Sequence, residues 1–543
     1  MLNAGELQVN YLNEGVICVF WYIFVFVLYT FFIIVLNLRS LKQVETFADF
    51  TTGGHRMGLW VGVFTTVATW VSVASVMGVP GYLYSNGVSA IIGWIAGWFL
   101  ATAFIPIVAY KVRRPKNPPR TFPEFIHLRY EPFQKRSPLR AIVGLLMSIG
   151  YFIFVHLQVV GFGIVFSTIT GIQYEIALFG FLFFLLFTSI GGFWSVSVTD
   201  SVNTIIIVLG VILGAFAVLY STGGFVNIYE NLATTTAPTF EGGESLPKGL
   251  LLSPVGGFGF GALCSIFLSN ALGAIVSPHW VTRMMAPKNV KTAILQMMLS
   301  VLILTLIFIP LIIIGLGAKM LIPSLPAGQT TDYIMPTVIT EFAHPIVGAF
   351  TLVALCAAAI STANSMLLHA GTSIYYDLYR NLFPDKDFHD EKGKKQLRYL
   401  VLTLGFLAVL SAIKPPVLLA MGFTYVYGAF GAVFFFVVLL GLYTKRMNRL
   451  AAYANVIVGL VAFIIAHIVG ATNPFLVSLV VSFIAVLLSI IIGKKSPLEA
   501  YEPYFEVEVS PSTEKVLNII RNEGADGSTD ILANDSINHE VKA

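Results

Sequence analysis

In Leu352–Leu368, LVALCAAAISTANSMLL, two adjacent hydroxyls, Ser361 and Thr362, stand in an otherwise apolar run of small residues. A polar pair in a hydrocarbon setting needs a reason. Ala358, Ser361 and Thr362 are spaced i, i+3 and i+4, so they share one helix face. That face offers two hydroxyl oxygens and a carbonyl that Thr362 could loosen. Neutral oxygens suit a hard, weakly held monovalent cation such as Na⁺. The plainer alternative is that both hydroxyls bond the carbonyl one turn back. Ser365, one turn further on, is expected to stand outside any such cage.

The elements that must hold this face are membrane helices. The chain has 543 residues, 57% hydrophobic and 11% charged. A soluble protein carries about twice that charged fraction. Long apolar runs recur, so the fold class is an all-α polytopic membrane protein, with the lipid bilayer as a partner. The basic residues sit in short loops, which gives no case for nucleic acid. Cys18, Cys264 and Cys356 all fall inside apolar runs without metal spacing and read as small core residues. The first run lacks a basic n-region and reads as a retained span.

Thirteen spans are expected: about 16–36, from 57, 88–109, 141–169, 176–193, up to 220, 256–280, 293–317, 346–376, 399–413, 416–443, 451–469 and 475–492. WSVSVTD reads as a short link before span six. The loops after spans one, three, seven, nine and eleven are basic, and Lys494 and Lys495 follow the last span. This pattern puts the C-terminus in the cytoplasm and the N-terminus outside, in a plasma membrane. The tail after Lys495 has no sustained apolar period.

Spans two and seven match in unusual ways. Gly78, Pro80 and Gly81 interrupt one, and Gly273 and Pro278 the other. Each carries polar residues at depth: Thr65, Thr66, Thr69 and Ser72, then Ser265, Ser269 and Asn270. Five spans apart, they imply an inverted repeat with a midplane site at the breaks. An unwound span two would free the carbonyls of Ala68 and Val71. With Ala358, Ser361 and Thr362 opposite, a five-oxygen cage becomes available.

MGVPG with YSNG at Met77–Gly87, FPEF at Phe122–Phe125 and GGFWSVSVTD at Gly191–Asp200 resemble the sodium/solute symporter family. So do SPHWVTRMMAPK at Ser277–Lys288 and AAAISTANSML at Ala357–Leu367. That family includes sodium-coupled proline, sugar, pantothenate and monocarboxylate transporters. The resemblance covers roughly 47–495. It implies a LeuT-type 5+5 inverted repeat with one extra N-terminal helix and two extra C-terminal ones. The corresponding organisation is 1–56 extra helix and loop, 57–222 first repeat, 223–255 extracellular loop, 256–444 second repeat, 445–495 two further helices and 496–543 tail.

The resemblance also implies sodium as coupling ion, held by Ala68, Val71, Ala358, Ser361 and Thr362. It places Asp200 near the sodium exit path. On sequence alone, Thr199–Asp200 opening an apolar run also reads as a helix N-cap. Proline transporters of the family carry an acid where this chain has Trp70. Sugar transporters carry amides and an acid where it has Ser75 and Trp94. The solute cavity is therefore expected to be lined by Trp70, Ser72, Ser75, Trp94, His279, Trp280 and Tyr425. Such a pocket suits a neutral amino acid or short monocarboxylate, with urea-type solutes as an alternative. His279 stands near an anionic group of the solute or bonds a loosened carbonyl; His156 and His369 have the second reading only.

The expected function is a sodium-coupled secondary symporter working by alternating access. Its alternatives are a transporter-like membrane sensor and a proton-coupled transporter. A channel filter, a GxxxxGK[ST] nucleotide site and a nucleophile–base pair are not found in the sequence, which argues against a channel, a pump and an enzyme.

Overall fold

A computed structural model describes residues 4–188, 191–384, 386, 389–414 and 419–505. The tail after residue 505, Pro416 at the expected start of span eleven, and the side chain of Cys18 lie outside the described residues. The helices of eight residues or more are α1 Ala4–Ser40, α2 Leu59–Trp70, α3 Val79–Asn86, α4 Gly97–Val112, α5 Phe122–Tyr130 and α6 Pro138–Thr170. Then come α7 Tyr174–Thr188, α8 Gly192–Thr222, α9 Phe225–Thr234, α10 Phe260–Ile275, α11 Pro278–Met285 and α12 Val290–Leu321. The rest are α13 Ile334–Phe342, α14 Pro345–Thr372, α15 Asp390–Ser411, α16 Leu419–Tyr443, α17 Arg449–Ile468, α18 Pro474–Ile492 and α19 Leu498–Phe505.

Among the described residues, 10 helices are long and apolar enough to cross a membrane, or 11 counting one bent pair. The two remaining expected spans are helices that fall short of that measure. One is α7, whose apolar stretch is Tyr174–Leu185. The other is α15, which opens on the charged DEKGKK.

Local chemistry starts several helices. Ser137 caps α6 by accepting from Arg140 N at 3.0 Å. Thr121 caps α5, Asn289 caps α12 and Asn448 caps α17 in the same manner. Small residues let the centre close. A Cβ added at Gly210 of α8 would stand 2.3 Å from Ala354 Cβ of α14, so the two helices touch nearly backbone to backbone.

The breaks differ from expectation in the first repeat. α2 ends at Trp70 and the chain resumes as a π-helix over Ala74–Gly78, with a 56° bend. Gly78, Pro80 and Gly81 lie beyond the break, in continuous helix. The break is held open by partners: Val73 N–H donates to Gln158 Oε1 at 3.1 Å, and Ser75 Oγ donates to Trp70 O at 3.3 Å. In the second repeat the break falls at Val276–Ser277, immediately before Pro278, as its proline implies.

Three further differences follow. WSVSVTD is not a link but the first turns of α8. The 223–255 loop contains α9. The tail begins with α19, whose Tyr504 is buried against Phe125 of α5 with ring centroids 5.5 Å apart. Cys356 is buried and Cys264 half-buried.

Candidate functional site

The end of α2 faces the middle of α14. Helix bonding stops at the break, so Ala68 O is open to side chains. It accepts from Ser361 Oγ at 3.0 Å and from Thr362 Oγ1 at 3.4 Å. Ser361 Oγ also lies 3.2 Å from Ala358 O. All four residues are buried. Val71 has φ −84° and ψ 96°, which turns its carbonyl out of the helix ladder. Four of the five oxygen groups named from the sequence therefore meet through measured contacts, and the fifth stands at the break beside them. The donor set is neutral and all oxygen, which fits a hard monovalent cation and offers little to a soft metal.

A charged knot lies one turn further along the same helices. Arg283 of α11 is fully buried. Its Nη2 donates to Ser365 Oγ at 2.9 Å, Thr65 Oγ1 at 3.2 Å and Asp200 Oδ2 at 3.4 Å. Its Nε donates to Thr65 O at 3.2 Å, and Nη1 meets His369 Nε2 at 3.3 Å. Thr65 Oγ1 donates to Asp200 Oδ2 at 2.7 Å. Asp200 lies well inside α8, which begins at Gly192, so it is no N-cap. Ser365 belongs to this knot, where it accepts from the arginine. Thr65 precedes Ala68, and Ser365 and His369 follow Thr362. The knot thus sits between the cage and the ends of α2 and α14 that lead to the basic loops.

The centre is aromatic. Trp70, the last residue of α2, stacks on Trp280 in the first turn of α11, with centroids 4.4 Å apart at 23°. His279 lies 4.2 Å from Trp280 and bonds Ser277 Oγ through Nδ1 at 3.0 Å. Its ring also faces Tyr151, Phe154 and Tyr427 at 5.8–6.0 Å. Trp94 lies within a π-helix over Ile91–Ala96. It reaches this group through Trp98, which stands 6.4 Å from Tyr427. Ser72 and Ser75 line the break, where Ser72 N–H donates to Ser75 Oγ at 3.4 Å.

Tyr425 stands apart from this aromatic group. It is 45% exposed and pairs with His467 at 5.1 Å. Tyr427, two residues on, turns to the opposite side and takes the central position. His156 bonds Ser411 Oγ at 2.7 Å, and His369 bonds Arg283; neither bonds a carbonyl.

A family model described as "Sodium:solute symporter family" matches residues 50–459. The chain belongs to the sodium:solute symporter family. Among its relatives, a sodium/pantothenate symporter of Haemophilus influenzae is 26% identical over 465 residues, covering 83% of this chain and 91% of that one. A sodium/proline symporter of Salmonella typhimurium is 27% identical over 451 residues, covering 81% and 86%. Among solved structures, a Na⁺-coupled sialic acid symporter superposes with a TM-score of 0.71 at 20% identity, over 88% of this chain and 99% of that one. MhsT in complex with L-phenylalanine gives 0.51 at 14%, over 82% and 99%. The fold is the LeuT type of inverted repeat. The relatives take chemically different solutes, so family membership leaves this chain's solute to its own residues.

Three residues at the site escaped the sequence: Arg283, Gln158 and Tyr427. Arg283 had a usable signal. A lone arginine three residues after Trp280, in a span with a Pro break, must find a buried acid, and Asp200 is the acid that GGFWSVSVTD supplies.

Proposed function

We propose that the chain is a sodium-coupled secondary symporter of a small organic solute, working by alternating access. One observation carries this reading: two hydroxyls of α14 converge on the carbonyl that the break in α2 leaves open. Na⁺, as co-transported substrate, is held by Ala68, Val71, Ala358, Ser361 and Thr362. The solute lies beside it against Trp70, Trp280 and His279, with Tyr427 in the place expected for Tyr425. Ser72, Ser75 and Trp94 shape the break and its approach.

The coupling is local. Val71 and Trp70 are neighbours in sequence, so a cation that orders Val71 also fixes the ring that meets the solute. Linkage then requires each to raise the other's affinity by the same factor, about 5–150-fold. The Arg283–Asp200 knot lies on the way from the cage to the basic loops, and Asp200 serves the departing ion there. The basic loops face the cytoplasm, with the N-terminus outside. The repeats run 57–222 and 256–444.

Uptake of labelled monocarboxylates and neutral amino acids into proteoliposomes tests this reading, under imposed sodium or proton gradients. Sodium-driven accumulation supports it. Accumulation driven by protons alone, or equilibration indifferent to both gradients, would overturn it.

A further inference from the structure

Two cavities adjoin behind α16. The first, about 400 Å³, is walled by α6, α16 and α17, with Ile149, Ile153, Val426, Phe434 and Leu460 among its lining side chains. The second, about 430 Å³, lies between α10, α16 and the turn from α17 to α18. Ser265, Ser269, His467, Thr472 and Phe475 line it. Tyr425 and Phe463 line both, so the two make one continuous groove. Each half is of a size that holds a small ligand.

The groove is graded along the membrane normal. Ile149 and Ile153 stand about 16–23 Å along α6 from its start at Pro138, at hydrocarbon depth. They are 51% and 40% exposed, and Tyr425 is 45% exposed, so the apolar half opens sideways to the bilayer. His467 lies in the last turn of α17 and Pro474 opens α18, which puts the second half near the membrane surface.

The second half also holds idle hydroxyls. Serines in membrane helices commonly bond the carbonyl one turn back. Ser148, Ser197 and Ser300 do so here, at 2.7–2.8 Å. Ser265 and Ser269, one turn apart on α10, make no hydrogen bond among the described residues, and Ser269 is only 5% exposed. A buried polar group left without a partner points to something that fills the space beside it. None of the described lining residues is Asp, Glu, Lys or Arg. An ionic head would shed water there with no counter-charge to meet it. Lipid tails are as apolar as the groove, so a chain gains little by leaving the bilayer and the head decides which lipid stays.

We infer that the groove binds a single-chain neutral lipid with a hydroxylated head. Its chain lies in the apolar half against α6 and α17, and its head bonds Ser265 and Ser269. The site is separate from the central aromatic group. Tyr425 stands at the junction of the two halves, while Tyr427, 6.0 Å from His279, is on the opposite face of α16. The lipid leans on the back of the helix whose front meets that group.

The test uses the full chain in phosphatidylcholine nanodiscs with a diazirine-tailed monoacylglycerol. Light should attach the probe saturably to peptides of α6, α16 and α17. Monooleoylglycerol and an oleyl glucoside should displace it, and the better of the two tells whether the head is glycerol or sugar. Methyl oleate has the chain without hydroxyls, and lysophosphatidylglycerol adds a charge. Both should need about 5–150-fold more, the worth of two neutral hydrogen bonds. Ser265→Ala combined with Ser269→Ala should weaken the neutral lipids by that factor and leave methyl oleate unchanged. Ala429→Leu, which puts a side chain into the apolar half, should abolish labelling. The unfolding temperature of each variant without probe reports its folding.

Labelling that does not saturate, or equal displacement by all four lipids, overturns the inference. So does unchanged displacement in the serine variant, or labelling that survives Ala429→Leu. Cross-linking of one chain to another through the groove would give it to a second copy and overturn it as well.

Discussion

Thr362→Val and Ser361→Ala should differ, and the difference follows from the contacts. To present a lone pair to a cation, each hydroxyl gives up the hydrogen bond it now makes. Ser361 gives up a contact of 3.0 Å to Ala68 O, with Ala358 O at 3.2 Å as its second partner. Thr362 gives up a contact of 3.4 Å, well beyond the usual range for a hydroxyl donor. Losing an oxygen on the ion costs about 1.5–3 kcal/mol, by analogy with a hydrogen bond to a charged group. The bond that Ser361 surrenders offsets about 0.5–1.5 kcal/mol of that, and the bond of Thr362 offsets almost nothing. Thr362→Val, which keeps volume and branching, should raise the half-saturating sodium concentration about 10–150-fold. Ser361→Ala should raise it only about fivefold. The assay is initial uptake rate against sodium concentration in proteoliposomes, with membrane insertion checked by surface labelling. An equal or larger effect at Ser361 would refute the offset. Wild-type sodium dependence in both variants would refute the cage.

Asp200→Asn leaves Arg283 buried without its counter-charge and should destabilise the protein by about 3–5 kcal/mol. The double variant Asp200→Asn, Arg283→Met should recover much of that in thermal unfolding, and an undisturbed single variant would show that the ion pair carries no weight. Ser365→Ala removes an acceptor 2.9 Å from Arg283 and should slow transport while shifting sodium affinity less than Thr362→Val does; wild-type turnover would contradict this. At the loop before α13, burial pushes the Asp332 carboxyl up to about 6, against the Leu419 N–H and the Thr330 hydroxyl that favour its charged form. Folding therefore favours protonation there. The stability this adds is whole below about pH 4 and lost by about pH 6, at most about 3 kcal/mol. Melting curves across that window should show a step in the wild type that Asp332→Asn lacks. Tyr504→Ala should release α19, because its ring is buried against Phe125. Protease cleavage within 498–505 should rise with the melting of the membrane helices unchanged, and a protected segment would place the anchor elsewhere.

The cage residues were legible because helical spacing alone brings Ala358, Ser361 and Thr362 to one face. The break of the first repeat was not. No glycine or proline marks Val71–Val73, and the bend is fixed by Gln158, some 85 residues away in sequence. Tyr425 and Tyr427 could not be told apart for a related reason. α16 is apolar on all sides, so its sequence carries no period to say which face turns inward. Asp200 was found as a residue, but its N-cap reading was wrong. Its start-of-helix look came from Thr199–Asp200, while the true start lies at Gly192 and its partner Arg283 belongs to the other repeat.

The stacked tryptophans constrain how the two repeats can move. One ring is fixed to the last residue of α2 and the other to the first turn of α11, so each half-helix ends on the same bearing. Sliding one ring over the other gives up at most the stacking geometry, about 0.5–1.5 kcal/mol. Pulling them apart uncovers both apolar faces, at several kcal/mol by area, roughly 25 cal/mol per Å². Shear between the broken helices is therefore easy and splaying is hard. In an alternating-access cycle the two repeats are therefore expected to glide across this joint, with the hydrophobic seam at the midplane kept shut.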